Sequence, residues 1–176
     1  RVLGYLGRAL SLEFSAVQLY STQARLVAYW GLGSAAERLR HEAEEELQHS
    51  DRIIERMLAL GVAPNASQLR PVQLGENLVE MLQINEQFEQ ELINLYHAAA
   101  SYSARIGDHD SRLFFSALLD EERKHHQELR DWQTLGVEGH FHAKRPWMPY
   151  HELLTRQMAR VVGALPSEVV CMNSLT

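Results

Sequence analysis

Two short segments of this chain carry the same pair of residues at the same spacing. Glu46 and His49 stand three apart, as do Glu122 and His125, and no other glutamate in the sequence is followed by histidine at that distance. Neither pair is interrupted by glycine or proline. On a helix, positions i and i+3 share a face, so each pair can aim a carboxylate and an imidazole at one ion. A lone Glu-x-x-His is ordinarily a solvated helix face, so the weight falls on what surrounds the two pairs. Glu13 lies 33 residues before Glu46, and Glu89 lies 33 before Glu122, so Glu-x32-Glu-x2-His occurs twice. Each upstream glutamate has a tyrosine seven residues on, Tyr20 and Tyr96, again on the same helical face.

This spacing fits a helical hairpin. With a turn near Gly31–Gly33, Glu13 falls about 18 residues before it and His49 about 17 after, and at a rise of about 1.5 Å per residue both reach the same depth. A turn near Gly107 and Asp108 does the same for Glu89 and His125. Two glutamates plus two Glu-x-x-His pairs, all facing inward, form the ligand set of a di-iron or di-manganese carboxylate site in a four-helix bundle. Burying that many ionisable groups without a cation would be very costly.

The rest of the chain agrees. Its 176 residues suffice for one domain with a sizeable core, and 45% are apolar. A net charge of −6 leaves no nucleic-acid footprint. The single cysteine, Cys171, excludes an internal disulfide and a four-cysteine iron site within the chain, which fits a reducing cytoplasm. No segment approaches a membrane span, and the first residues lack a signal-peptide pattern. The periodicity predicts helices from Val2 to about Trp30, from Ser34 to about Leu60, from about Gly75 to Ile106, and from Asp110 or Ser111 to about Leu135. Ser34 with Glu37 reads as a capping box, and Asp110 or Ser111 as the fourth cap. Pro64 and Pro71 mark residues 61–74 as a long connection. Two short turns around one long crossover is ferritin-like connectivity. The expected organisation is therefore an all-α bundle over residues 1–135, then 136–176 as a loop, a short helix at His151–Ala164 and a tail.

With these residues assembled, the chain resembles the bacterioferritin family. The resemblance covers residues 1 to about 135. It is carried by Tyr5-Leu6, Glu13 through Tyr20, Trp30-Gly31-Leu32, His41-Glu42, Glu46-x-x-His49-Ser50-Asp51, Ile54-Glu55-Arg56, Gly75-Glu76, Glu80-Met81-Leu82 and Ser111-Arg112. It implies that Glu13, Glu46, His49, Glu89, Glu122 and His125 ligate two irons, with Glu46 and Glu122 bridging. It implies a ferroxidase that oxidises Fe2+ with O2 or H2O2 and stores Fe3+ in a cytoplasmic shell of 24 chains. Tyr20 matches a family tyrosine beside the di-iron site. His41 matches a histidine that reaches an inner-surface iron in some members, and Glu45 replaces the accompanying aspartate. Tyr96 rests on its spacing alone. Leu47 departs from the pattern: it stands where the family has the methionine that holds a haem between subunits, so haem is not expected. Two other functions stay open at this stage. One is a di-iron oxidase, oxygenase or peroxidase acting on another substrate. The other is a structural subunit that co-assembles with a haem-binding homologue.

Overall fold

A computed structural model describes residues 1–66 and 68–142, and side-chain environments as far as residue 130. The chain divides into two compact units, Arg1–Leu129 and Arg130–Thr176, and the first holds the core discussed below. Four helices follow in order: α1 (Val2–Tyr29), α2 (Gly33–Ala59), α3 (Leu78–Arg105) and α4 (His109–His142). There is no strand among the described residues, and none of these helices is long and apolar enough to cross a membrane. α1 and α2 form one hairpin, α3 and α4 the other, and the long 60–77 connection joins them as a four-helix bundle. The short helix expected at 151–164 and the tail lie outside the described residues.

Each helix buries one stripe. On α1 it runs through Leu6, Leu10, Glu13, Ala16, Tyr20 and Val27, and on α2 through Leu39, Glu46, His49, Ile53 and Met57. The apolar members join Leu92, Phe115 and Leu118 in one core, each large side chain contributing about 1.5–3 kcal/mol by its burial. The crossover is tied to the bundle by its own backbone: the Arg70 N–H donates to Ser15 Oγ at 3.0 Å, and Gln23 Nε2 donates to the Gln73 carbonyl at 3.2 Å. The Arg70 guanidinium adds an ion pair with Glu91 and lies 5.6 Å above the Phe88 ring.

The helix ends differ from the sequence reading in detail. α2 starts at Gly33 behind Leu32 with no side-chain cap, so Ser34 lies inside the helix and does not cap it. α3 starts at Leu78, where Asn77 Oδ1 accepts from the Glu80 N–H at 3.0 Å and the Glu80 carboxylate accepts from the Glu76 N–H at 2.7 Å. For α4 the side-chain acceptor is Asp108, which takes the Ser111 N–H at 3.0 Å, and neither Asp110 nor Ser111 fills that role. α4 also continues beyond Leu135 to His142. Single glycines at 136 and 139 cost about 1 kcal/mol each, too little to end an otherwise favourable helix.

Gly75 and Gly61 both have φ of +73°, but only Gly75 is crowded: a Cβ there would lie 2.9 Å from the Met81 backbone nitrogen. Gly61→Ala should cost about 1–2 kcal/mol for the left-handed backbone alone. Gly75→Ala should cost more, because the first turn of α3 must also shift. Thermal melts of the two variants check this, and equal losses would show that the close approach is not limiting.

Candidate metal centre

The helical stripes that build the core are interrupted at one level by charge. Gly31 and Gly107, both at positive φ (81° and 76°), sit in the two hairpin turns. Each stands eighteen residues after an upstream glutamate (Glu13, Glu89) and eighteen before a histidine (His49, His125). The two hairpins therefore deliver their groups to the same depth. Glu13, Glu46, Glu89 and Glu122 are fully buried, and His49 and His125 nearly so.

These six residues form two overlapping groups. Ligand atoms of Glu13, Glu46, His49 and Glu122 all lie within 4.8 Å of one another, as do those of Glu46, Glu89, Glu122 and His125. Glu46 and Glu122 belong to both. His49 Nδ1 lies 3.0 Å from Glu46 Oε2, 2.9 Å from Glu122 Oε1 and 3.6 Å from Glu13 Oε2. One N–H cannot serve three carboxylates, so this convergence suits a cation better than a proton. His125 Nδ1 faces the same interior, 3.6 Å from Glu46 Oε1 and 3.9 Å from Glu122 Oε2. The two imidazoles are nearly parallel, with centroids 5.8 Å apart.

The hydrogen bonding tests whether a metal fits. Tyr20 Oη donates to Glu89 Oε1, and Tyr96 Oη donates to Glu13 Oε1. Each tyrosine thus serves the glutamate of the other hairpin, and not the one seven residues before it. Each bond occupies one carboxylate oxygen and leaves the other, Glu89 Oε2 or Glu13 Oε2, buried without a hydrogen bond. Glu46 Oε1, both oxygens of Glu122 and His125 Nδ1 are likewise buried and lack hydrogen bonds. An unsatisfied buried polar atom costs about 1–3 kcal/mol, and here six of them belong to the residues of these two groups. Two divalent cations would satisfy them. They would also balance four carboxylates against four positive charges, with neutral imidazoles.

Comparison with known proteins identifies the family to which this fold belongs. A family model described as the ferritin-like domain matches residues 3–135. Bacterioferritin of Rhodobacter capsulatus is 36% identical over 125 residues, covering 71% of this chain and 78% of that protein. The chain belongs to the bacterioferritin family. A 2.6 Å structure of the Rhodobacter capsulatus protein superimposes with a TM-score of 0.74 at 30% identity over 96% of both chains. That structure is described as having a metal-free dinuclear site and a haem iron in a crystallographic special position. A different match covers 50 residues: kynureninase of Koribacter versatilis is 76% identical there, over 28% of this chain and 12% of the enzyme's length. The chain thus spans only a small fraction of that relative.

In this bacterioferritin-family chain the remaining candidates lie at the edge of the cluster. His41 is exposed, with Nε2 3.7 Å from Glu45 Oε1. Glu45 turns its other oxygen to His125 Nε2 at 3.4 Å, so it reaches both histidines. The sequence reading passed over Glu42, which is buried and held by Arg38 Nε at 2.7 Å. It also passed over Glu121, whose Oε2 accepts from Arg52 Nη1 at 2.6 Å and meets His49 Nε2 at 3.0 Å. The signal for Glu121 was present: each Glu-x-x-His is directly preceded by a further glutamate.

Without cations the centre must hold protons. Burial, then the Glu46 charge, pushes Glu13 up to about 8 against the opposing pull of His49. Glu122 and Glu89 are raised as well, foremost by burial. Burial pulls His125 down, but the Glu46 carboxylate, followed by Glu89 and Glu42, outweighs it and raises the imidazole to about 9. His49 is raised further, its burial outweighed by Glu122, Glu13 and Glu46. Burial lifts both phenols above their ordinary range, followed by Glu89 for Tyr20 and by Glu13 for Tyr96, so both stay protonated donors.

The direction of the pH dependence follows. Glu13 and His125 bind protons more tightly folded than unfolded. Their contribution is complete below the unfolded values (4.5 and 6.5) and is lost as pH rises through about 8 and about 9. The metal-free protein should therefore melt at lower temperature at pH 9 than at pH 6. Divalent ions displace these protons, so the loaded protein should show no such fall. Calorimetry of both forms checks it, and a metal-free protein that gains stability over that range would contradict it.

Proposed function

We propose that this chain is an iron-storage subunit whose buried centre is a ferroxidase. The observation that carries the reading is the pair of overlapping four-residue groups sharing Glu46 and Glu122, with unpaired buried atoms facing inward. Two Fe2+ are the substrate ions. Glu13 with His49 would hold one, Glu89 with His125 the other, and Glu46 and Glu122 would bridge them. Tyr96 and Tyr20 would keep the terminal glutamates single-toothed by occupying one oxygen of each. Carboxylate oxygens favour the ferric product, while the imidazoles keep affinity for Fe2+. The balance is two Fe2+, one O2 and two H+ giving two Fe3+ and H2O2. With H2O2 as oxidant, two Fe2+ and two H+ give two Fe3+ and two waters. Fe3+ then passes to a mineral inside a shell, which by family likeness has 24 chains, made of this chain alone or mixed with a haem-binding homologue.

We assign the kynureninase-like stretch to the last fifty or so residues. The ferritin-like match ends at 135, and the bacterioferritin and kynureninase matches take 71% and 28% of the chain. A stretch equal to 12% of an enzyme carries no activity over to this protein. All six proposed ligands lie in the bundle.

His49→Ala and Glu122→Ala should each slow aerobic oxidation of two Fe2+ per chain by about one to two orders of magnitude, with the bundle still folded. Stopped-flow absorbance of the ferric product reads this, and parent-like rates in both variants would sink the assignment.

Leu47 follows Glu46 by one residue and is rotated about 100° from the metal face. Its side chain is exposed, so it is free to meet another subunit. Leucine offers iron no lone pair. A shell made only of this chain should therefore bind no haem, and Leu47→Met should introduce some. The visible spectrum of the pure homo-oligomer decides it, since one haem per two chains would refute the reading.

A further inference from the structure

The two metal-facing pairs are longer motifs than their ligands require. They read Glu45-Glu46-Leu47-Gln48-His49 on α2 and Glu121-Glu122-Arg123-Lys124-His125 on α4. Each leading glutamate is turned about 100° from the ligand that follows it. Neither serves the metal-facing histidine of its own helix. Glu121 Oε2 lies 3.0 Å from Nε2 of His49, and Glu45 Oε2 lies 3.4 Å from Nε2 of His125. Both imidazoles turn Nδ1 to the buried carboxylates, so each leading glutamate sits on the nitrogen that faces away.

That placement has a chemical consequence. An imidazole that offers the Nδ1 lone pair to a cation carries its proton on Nε2. A carboxylate at Nε2 selects this tautomer, fixes the ring and raises the basicity of Nδ1. The two halves are unequal. Glu121 is clamped by Arg52 Nη1 at 2.6 Å and makes a hydrogen bond of ordinary length. The ion pairs seen among the described residues give Glu45 no arginine clamp of this kind. Its contact with His125 is longer, and its other oxygen is engaged with exposed His41 at 3.7 Å.

We propose that Glu121, held by Arg52, is a positioning residue that locks His49 across the hairpins and makes the Glu13–His49 half of the centre the tighter metal site. Glu45 acts on His125 in the same sense and more weakly. The inference rests on the di-metal reading above. Glu121 is partly exposed and its ion pair with Arg52 lies near the surface, so its removal costs the fold little.

Equilibrium titration with Co2+, followed by its visible absorption, tests this without turnover. The parent should bind two Co2+ per chain with unequal affinity. Glu121→Ala should weaken the tighter ion about 10–100-fold and leave the other essentially unchanged. Glu121→Gln, whose amide oxygen still accepts from Nε2–H, should recover most of the loss, and Arg52→Leu should produce a smaller one. In a His49→Ala background, Glu121→Ala should add nothing. Far-ultraviolet circular dichroism shows that each variant is folded. A parent that binds two Co2+ while folded Glu121→Ala binds both as before, or loses both equally, overturns the inference alone. A parent that cannot take two Co2+ overturns the di-metal reading as well.

Discussion

Four carboxylates and two imidazoles buried in one layer of a helical bundle are the constraint on which the rest of this structure depends. Elsewhere the same helical stripes carry Leu6, Leu10, Ile53, Met57, Leu92 and Phe115, and the core they make offsets the cost of the charged layer. Without cations the layer must take up protons and leave buried oxygens unpaired. Two divalent ions would leave it neutral and satisfied.

Most contacts that organise the layer cross between hairpins. Tyr20 on α1 bonds Glu89 on α3, and Tyr96 on α3 bonds Glu13 on α1. Glu121 on α4 bonds His49 on α2. Each hairpin therefore positions proposed ligands belonging to the other. The matched distances from Gly31 and Gly107 to their ligands make this exchange possible, because a shift of one residue in either hairpin would rotate its ligands about 100° out of the layer. Symmetry is broken at the periphery, where Arg52 clamps Glu121 and exposed His41 lies beside Glu45, and inside the layer, where His49 Nδ1 sits closer to its carboxylates than His125 Nδ1 does.

The sequence was most informative where periodicity and spacing act together. The four helices, the hairpin turns and the six inward-facing groups follow from repeats of 3.6 residues and from one doubled motif. What it hid depends on the partner helix. Seven-residue spacing places Tyr20 on the face of Glu13, but the phenol is long enough to bond Glu89 across the bundle. Glu121 was overlooked because only the face of Glu122 was followed, and its neighbour lies about 100° further round the helix. Caps were misplaced by a few residues at Ser34 and at Asp110, since several polar residues near a turn can serve and only geometry selects Asp108. The end of α4 was set too early at Gly136, because glycine weakens a helix without obliging it to stop.

The most direct test is where the ions sit. Crystals soaked in Mn2+ and measured for anomalous scattering should show two peaks about 3.5–4 Å apart inside the bundle. One should lie against Glu13 and His49, the other against Glu89 and His125, with Glu46 and Glu122 between them. A single peak elsewhere in the bundle, or ions only at exposed carboxylates, would contradict the account.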